Sequence, residues 1–260
     1  MNSESLSVIK IGGSTINDWD KNLAQLNHIL DMGQSIIIVH GGGKTVSEWG
    51  SKLGIRPEFV KGLRKTDNNT LEVAISILSG LVNSKLVSYL NNRKINAVGV
   101  SGLSGNMIMA NVTNKELGLV GEIKSINADL IENLLNNDFV PVISPLGINQ
   151  NQKNIDESIL NINADFVASE IAKTLRANKL IYQTDVDGIK DEKGRVIPKM
   201  TLDQAKNLIY SGIVVGGMVP KLQSCIDSMQ GVDHGHIING SGNTLIDIFK
   251  GKRVGTEIIN

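Results

Sequence analysis

Short β-branched runs that end in glycine and lead into helical patterns recur along the chain, and this alternation limits the fold more than any other feature. Ser7-Val8-Ile9-Lys10-Ile11 reads as a first strand closed by Gly12-Gly13. Ser35-Ile36-Ile37-Ile38-Val39 reads as a second, running through His40 into Gly41-Gly42-Gly43. A nearly continuous apolar run is the mark of a strand covered on both faces. Helical spacing appears between such runs. It places Leu23, Leu26, Ile29 and Leu30 on one helix within Asp18 to Asp31, and Leu71, Val73, Ala74, Ile77, Leu78, Leu81 and Val82 on another within Thr70 to Tyr89. Further strands are expected at Ala97–Ser101, Val140–Ser144 and Lys179–Gln183, and helices at Asp165–Leu175, Leu202–Ser211 and Met218–Met229. Strand, glycine turn and helix in repetition predict an α/β fold, a three-layer sandwich with a central, mostly parallel sheet between helices. Asn106 to Lys124 reads as a hairpin excursion, and Asp187-Gly188 with Lys193-Gly194 marks another. No Pro/Ser-rich linker or repeat divides the chain, so its 260 residues are expected to form a single domain with two lobes that part near residue 175.

Composition excludes several classes of partner. Lys and Arg total 26 against 26 Asp and Glu, which lacks the basic excess of a nucleic-acid binder. The single Cys225 cannot form an internal disulfide. No apolar run approaches the roughly 20 residues that span a bilayer. Met1-Asn2-Ser3-Glu4-Ser5 lacks the pattern of a secretory leader, so a cytoplasmic protein without membrane or nucleic-acid partners is expected.

Glycine clusters after two apolar strands are where ligands meet an open α/β sheet, because backbone N–H groups there can approach phosphate oxygens closely. Tight turning alone is the other reading. Gly43-Lys44-Thr45 resembles the end of a Walker A loop, but Ile38 stands where that loop needs glycine. Adjacent Gly12-Gly13 likewise fails the spacing of a dinucleotide fingerprint. Lys10, at the C-terminal end of its strand, either points into a ligand crevice or faces water from an edge. Pro220 suits a first helical turn, which places Lys221 near a positive helix start, poor for stability and useful for an anion. Asp165 precedes an apolar helical pattern and reads locally as an N-cap or first-turn acid. Arg64, in a glycine-bearing loop, is either solvated or a clamp for a carboxylate. The histidines show no metal-ligand spacing, and His234-Gly235-His236 fits a strand.

Taken in order, six segments resemble the amino-acid kinase family, and within it the branch that acts on N-acetyl-L-glutamate. They are Val8–Gly13, Val39–Lys44, Gly62–Asp67, Leu160–Asp165, Thr184–Gly188 and Gly216–Lys221. The resemblance implies ATP-dependent phosphorylation of the side-chain carboxylate of N-acetyl-L-glutamate, the second step of arginine biosynthesis. It implies that Lys10 and Lys221 contact the transferring phosphoryl group and that Asp165 positions both. Gly12 and Gly13 would cradle ATP phosphates, while Gly42 and Gly43 meet the substrate. Arg64 would grip the α-carboxylate and Asn161 the acetylamino-acid part. Thr184, Asp185, Val186, Gly188, Gly217 and Met218 would line the nucleotide pocket. Mg²⁺ would be held through ATP oxygens, with no metal-binding side chains. The lobe of about residues 1–175 would bind the acyl acceptor and dimerise, and that of about 176–260 would bind ATP. A carboxylate nucleophile is already ionised at neutral pH, so no general base is needed.

Ser104, Val215 and the shortened Asn239-Gly240-Ser241-Gly242-Asn243 depart from the family's usual residues. The few residues before Lys10 and the altered Ile248–Thr256 lead to the expectation of a homodimer insensitive to arginine. A kinase acting on carrier-linked aminoadipate is the alternative within the family, and the short Lys61–Asp67 loop speaks against it. A non-catalytic nucleotide or amino-acid sensor is the alternative outside it, and the presence of Lys10, Asp165 and Lys221 speaks against that.

Overall fold

The computed structural model describes residues 5–12, 23–60, 62–152, 154, 157–240 and 244–260. Gly13, Lys61, Ser241 to Asn243 and the start of the helix expected from Asp18 lie outside these residues. The chain packs as two compact units, Ile38–Val167 and Asn2–Ile37 with Ala168–Asn260. The first 37 residues thus pack with the C-terminal third of the chain, a division the glycine turns do not announce.

The second unit is built on the parallel strands β1 (Leu6–Ile11), β11 (Lys179–Thr184) and β13 (His234–Asn239). β14 (Thr256–Ile259) is antiparallel to β13, and β12 (Lys199–Thr201) runs parallel to β14. All six residues of β1 are buried, because β11 flanks it on one edge and β2 (Ser35–His40) on the other. Around these strands lie α1 (Leu26–Asp31), α6 (Leu202–Tyr210), α7 (Met218–Ser228) and α8 (Thr244–Phe249). α6 starts where Thr201 and Gln204 close a capping box, each side chain accepting from the other's backbone N–H.

The first unit continues the parallel pattern, β2 pairing with β8 (Val140–Ser144) and β8 with β5 (Ala97–Ser101). Beside it, α2 (Gly43–Lys52) leads to the hairpin β3 (Phe59–Val60) and β4 (Leu63–Arg64), turned at Gly62 with φ +81°. The excursion expected around Gly118 and Gly121 is present as antiparallel β6 (Ile108–Val112) and β7 (Gly121–Ile126). It belongs to a second, four-stranded sheet with β9 (Leu146–Asn149) and β10 (Ile159–Asn161), in the order β10-β9-β6-β7. The long helix read from Leu71 to Val82 is α3 (Asn68–Asn91), started by Asp67, whose carboxylate accepts from Thr70 N–H at 2.8 Å. Length and apolarity would let α3 cross a membrane, yet Leu71, Ala74, Leu78, Val82, Leu86 and Leu90 are buried in this unit. Its middle, Ser76–Val82, is a π-helix, a rare form often found at functional sites. There Ser79 Oγ meets Ser144 Oγ at 2.7 Å, and Asn83 follows, packed where a Cβ on Gly99 would stand 2.0 Å from its Oδ1. α4 (Asp129–Asn136) and the start of α5 (Ala164–Thr174) complete the unit.

Candidate functional site

Alternation along β1 and β11 decides which side chains share a face. Lys10 and Tyr182 are partners across the parallel pair, so both side chains project on the same side of the sheet. α7 covers that side and brings Lys221 Nζ to 5.6 Å from the Tyr182 ring centre, within cation–π range. Lys10 and Lys221 are each 7% exposed. The reading of Lys10 as an edge residue facing water is therefore excluded, since β1 has a strand on both sides. Lys221, fourth residue of α7, is held from below. Its carbonyl accepts from Ser224 Oγ at 2.9 Å, and Ser224 Oγ is 2.8 Å from Tyr182 Oη. Ser224 has one hydroxyl proton and spends it on Lys221, so Tyr182 is the donor in the second bond. Ser169 Oγ donates to Ser224 O at 2.7 Å.

The C-terminal ends of β1, β11 and β13 lie level: Gly12 N–H donates to Gln183 O at 3.1 Å and Gly240 N–H to Thr184 O at 2.8 Å. Ligands of open parallel sheets bind beyond such ends. Thr184 is buried there, its hydroxyl bonded to Asp185 Oδ1 at 3.1 Å, and Asp185 is exposed. Asn239 donates to Asp187 Oδ1 at 2.8 Å across the same end. Val186 and Met218 are half-buried, and Gly217 stands exposed just before α7. Gly188 has a packing reason to be glycine: φ is +147° and a Cβ would meet Thr256 Oγ1 at 2.7 Å. The described members of the nucleotide set, Gly12, Thr184, Asp185, Val186, Gly188, Gly217 and Met218, thus fall in one unit with Lys10 and Lys221.

The expected acceptor residues gather in the other unit. Arg64 Nη2 donates to Gly43 O at 2.7 Å and to Ser47 Oγ at 2.6 Å, while its guanidinium lies 4.7 Å over the Phe59 ring. Burial pushes the pKa of that guanidinium down from its ordinary value. With Nη2 committed to α2, Nη1 and Nε remain for a carboxylate. Asn161 Nδ2 donates to Thr66 Oγ1 at 3.2 Å, and Thr66 Oγ1 donates to Arg64 O at 3.0 Å. Gly43, Arg64, Thr66 and Asn161 therefore form one bonded chain. Gly42 is buried beneath it, where a Cβ would come within 2.6 Å of Leu78. Asp165 is 6% exposed in the first turn of α5, and its N–H donates to Asn163 Oδ1 at 2.7 Å. Asn163 thus supplies the cap that Asp165 could have supplied, and the Asp165 carboxylate is not needed for it.

Thr66, Ser47, Phe59 and Tyr182 were not singled out by the sequence. Thr66 sits inside the quoted Gly62–Asp67 segment and Ser47 one helical turn beyond Gly43, so position gave a signal for both. Nothing in the sequence pairs Tyr182 with Lys10. His40, next to the glycine cluster, is fully buried, and burial holds its pKa down to about 4. Its Nδ1 bonds Gly41 O at 2.8 Å and so carries the proton, leaving Nε2 to accept from Asn83 Nδ2 at 3.1 Å.

Residues 5–239 match the model of the amino acid kinase family. The acetylglutamate kinase of Caldicellulosiruptor saccharolyticus is 40% identical over 96% of this chain and 89% of its own length. That of Methanospirillum hungatei is 42% identical over 96% of this chain and 90% of its own. Among solved structures, smu.665 from Streptococcus mutans superposes with a TM-score of 0.85 at 28% identity, covering 98% of this chain and 99% of that one. The chain belongs to the amino-acid kinase family. It is a phosphotransferase with that family's α/β fold, its central sheet mostly parallel and flanked by helices.

Proposed function

We propose that this enzyme transfers the γ-phosphoryl group of ATP to the side-chain carboxylate of N-acetyl-L-glutamate, the second step of arginine biosynthesis. The observation that carries the reading is the pair of buried lysines, Lys10 and Lys221, on one face of a parallel sheet near its ligand-binding end. Two ammonium groups held out of water are costly for stability and suited to an anionic phosphoryl group in transit. In the step itself a carboxylate oxygen forms a bond to the γ-phosphorus and the bond to the β–γ bridging oxygen breaks. ADP leaves with that electron pair. No proton is moved, because the acceptor is ionised from the start.

Lys10 and Lys221 take the charge of the transferring group in this reading, and Asp165 orients them. Gly12 and Gly13 face the ATP phosphates. The half-buried Arg64, with Nη1 and Nε uncommitted, grips the α-carboxylate of the acceptor, while Asn161 and Gly42–Gly43 fix the remainder. Among the described residues no three His, Cys, Asp or Glu side chains are grouped to hold a metal. In this reading Mg²⁺ would be carried on the nucleotide's own oxygens, where it would offset phosphate charge. The unit Ile38–Val167 would carry the acceptor and the dimer contact, and the unit that joins residues 2–37 to 168–260 the nucleotide. A cytoplasmic homodimer that L-arginine does not inhibit completes the proposal, supported by the altered Ile248–Thr256 segment.

The relatives named as acetylglutamate kinases favour the free acetylated amino acid over a carrier-linked acceptor. ADP release measured side by side with N-acetylglutamate, glutamate and aspartate tests this directly. Turnover confined to N-acetylglutamate is expected. Equal turnover with glutamate, or none with any of the three, would overturn the assignment.

A further inference from the structure

The start of α7 is weakly fixed by its own sequence. Gly216 and Gly217 precede it, Gly216 with φ +61°, and a Cβ on either would meet nothing within 4 Å. Among the described residues no side chain caps this N-terminus, and Pro220 has no N–H to offer a turn. Holding Lys221, 7% exposed on so loose a first turn, therefore falls to groups outside α7.

Tyr182 reaches both ends of that lysine. Its ring centre is 5.6 Å from Lys221 Nζ, and its hydroxyl bonds Ser224 Oγ at 2.8 Å, which in turn donates to Lys221 O at 2.9 Å. Ser169 Oγ, donating to Ser224 O at 2.7 Å, steadies the same turn from α5. Strand pairing sets Lys10 opposite Tyr182, so the ring stands on the face that both lysines use. Lys10, Ser169, Tyr182, Lys221 and Ser224 all belong to the second unit. Tyr182 is the largest of the wholly buried side chains among the described residues. Filling a core needs no hydroxyl, and burying one obliges the fold to satisfy it. Here the group that satisfies it is the one that holds the Lys221 backbone. An aromatic face attracts an ammonium most strongly when both are out of water, as these two are.

We propose that Tyr182 is a positioning residue for phosphoryl transfer, its ring the platform that holds the Lys221 ammonium where the transferring group passes. The inference rests on the proposed reaction in taking Lys221 as a phosphoryl contact, and it is indifferent to the acceptor. Misplacing an ammonium that is needed where charge develops costs kcat and spares KM. Steady-state ADP release tests this, with a thermal scan of each variant to show that it is folded. Tyr182→Leu should lower kcat by about tenfold, the scale of one desolvated cation–aromatic contact, with both KM values within about twofold of wild type. Tyr182→Met, flexible enough to fill the same space, is the second variant for the same comparison. Tyr182→Phe keeps the ring and should stay within about threefold of the wild-type kcat. In a Lys221→Ala background Tyr182→Leu should cost nothing further, a result that a merely structural core residue would not give. A wild type that turns over only another acceptor would sink the acceptor assignment, and the same comparisons would then be made on that acceptor. Wild-type kcat in the leucine and methionine variants, a Tyr182→Phe as slow as Tyr182→Leu, or equal losses with and without Lys221 would each overturn the inference.

Discussion

Replacing Asn83 by alanine tests how the glycine loop after β2 is held. Asn83 Nδ2 makes two buried bonds, to His40 Nε2 at 3.1 Å and to Val142 O at 2.9 Å. Their loss removes two interactions worth about 0.5–1.5 kcal/mol each and leaves a buried ring nitrogen short of its donor. The alanine methyl cannot fill the space that Gly99 leaves for the amide, so a small void adds to the cost. The expected total is about 3 kcal/mol, which for a chain of this size lowers Tm by roughly 6–12 °C. Equilibrium urea unfolding followed by circular dichroism, with a thermal scan beside it, measures both. Because His40 Nδ1 holds Gly41 O, a loosened ring also loosens the residues proposed to meet the substrate, and the KM for N-acetylglutamate should rise. A destabilisation below about 1 kcal/mol with unchanged KM would show that the Asn83–His40–Gly41 chain holds nothing, and would refute the argument.

Lys10→Ala and Lys221→Ala should each lower kcat by about 10²-fold or more, the scale of losing one transition-state donor, whereas Arg64→Ala should chiefly raise the KM for the amino-acid substrate. Steady-state kinetics separate the two patterns, and near-normal turnover of either lysine variant would contradict the site. The buried His40 and His236, both held at about 4 against 6.5 when unfolded, bind more protons in the unfolded chain between those values. Stability is therefore full above pH 6.5 and falls as pH drops from there towards 4, a decline of a few kcal/mol that urea midpoints at pH 7, 6 and 5 would record. The depressed carboxylates Asp67 and Asp191 act only at lower pH, so a flat profile from 7 to 5 would contradict the burial of these rings. Cys225 is fully buried with its thiol pushed up to about 12, so an aromatic disulfide reagent at pH 8 should label it only after denaturant is added.

The strands and helices that the sequence disclosed are those whose periodicity is unbroken. β1, β2 and β8 are mostly apolar runs, β11 keeps the apolar stretch Leu180–Tyr182, and α6 and α7 fall within a residue of their expected ends. β9, β10 and β12 escaped because three or four residues are too few to show a period. The π-helix in α3 escaped for a different reason: apolar residues at mixed three and four spacings suit either winding, and only the packing of Ser79 and Asn83 distinguishes them. Lys10 and Lys221 could be found because a lysine among apolar strand residues or at a helix start contradicts local preference. Tyr182 and Thr66 could not, since a tyrosine in a strand and a threonine in a loop satisfy it.

A unit made of residues 2–37 and 168–260 has a consequence for biosynthesis. On the ribosome β1 emerges early, while its partner β11 follows only after the whole of Ile38–Val167 has been translated, an interval of roughly ten to thirty seconds at ordinary elongation rates. The intervening unit is contiguous and can fold first. Until Thr184 has left the exit tunnel, six residues destined to be buried remain an unpaired apolar edge, open to other nascent chains. A charge inside such a segment discourages that pairing. Lys10 is such a charge, so the nascent chain has a use for it before any nucleotide has been bound.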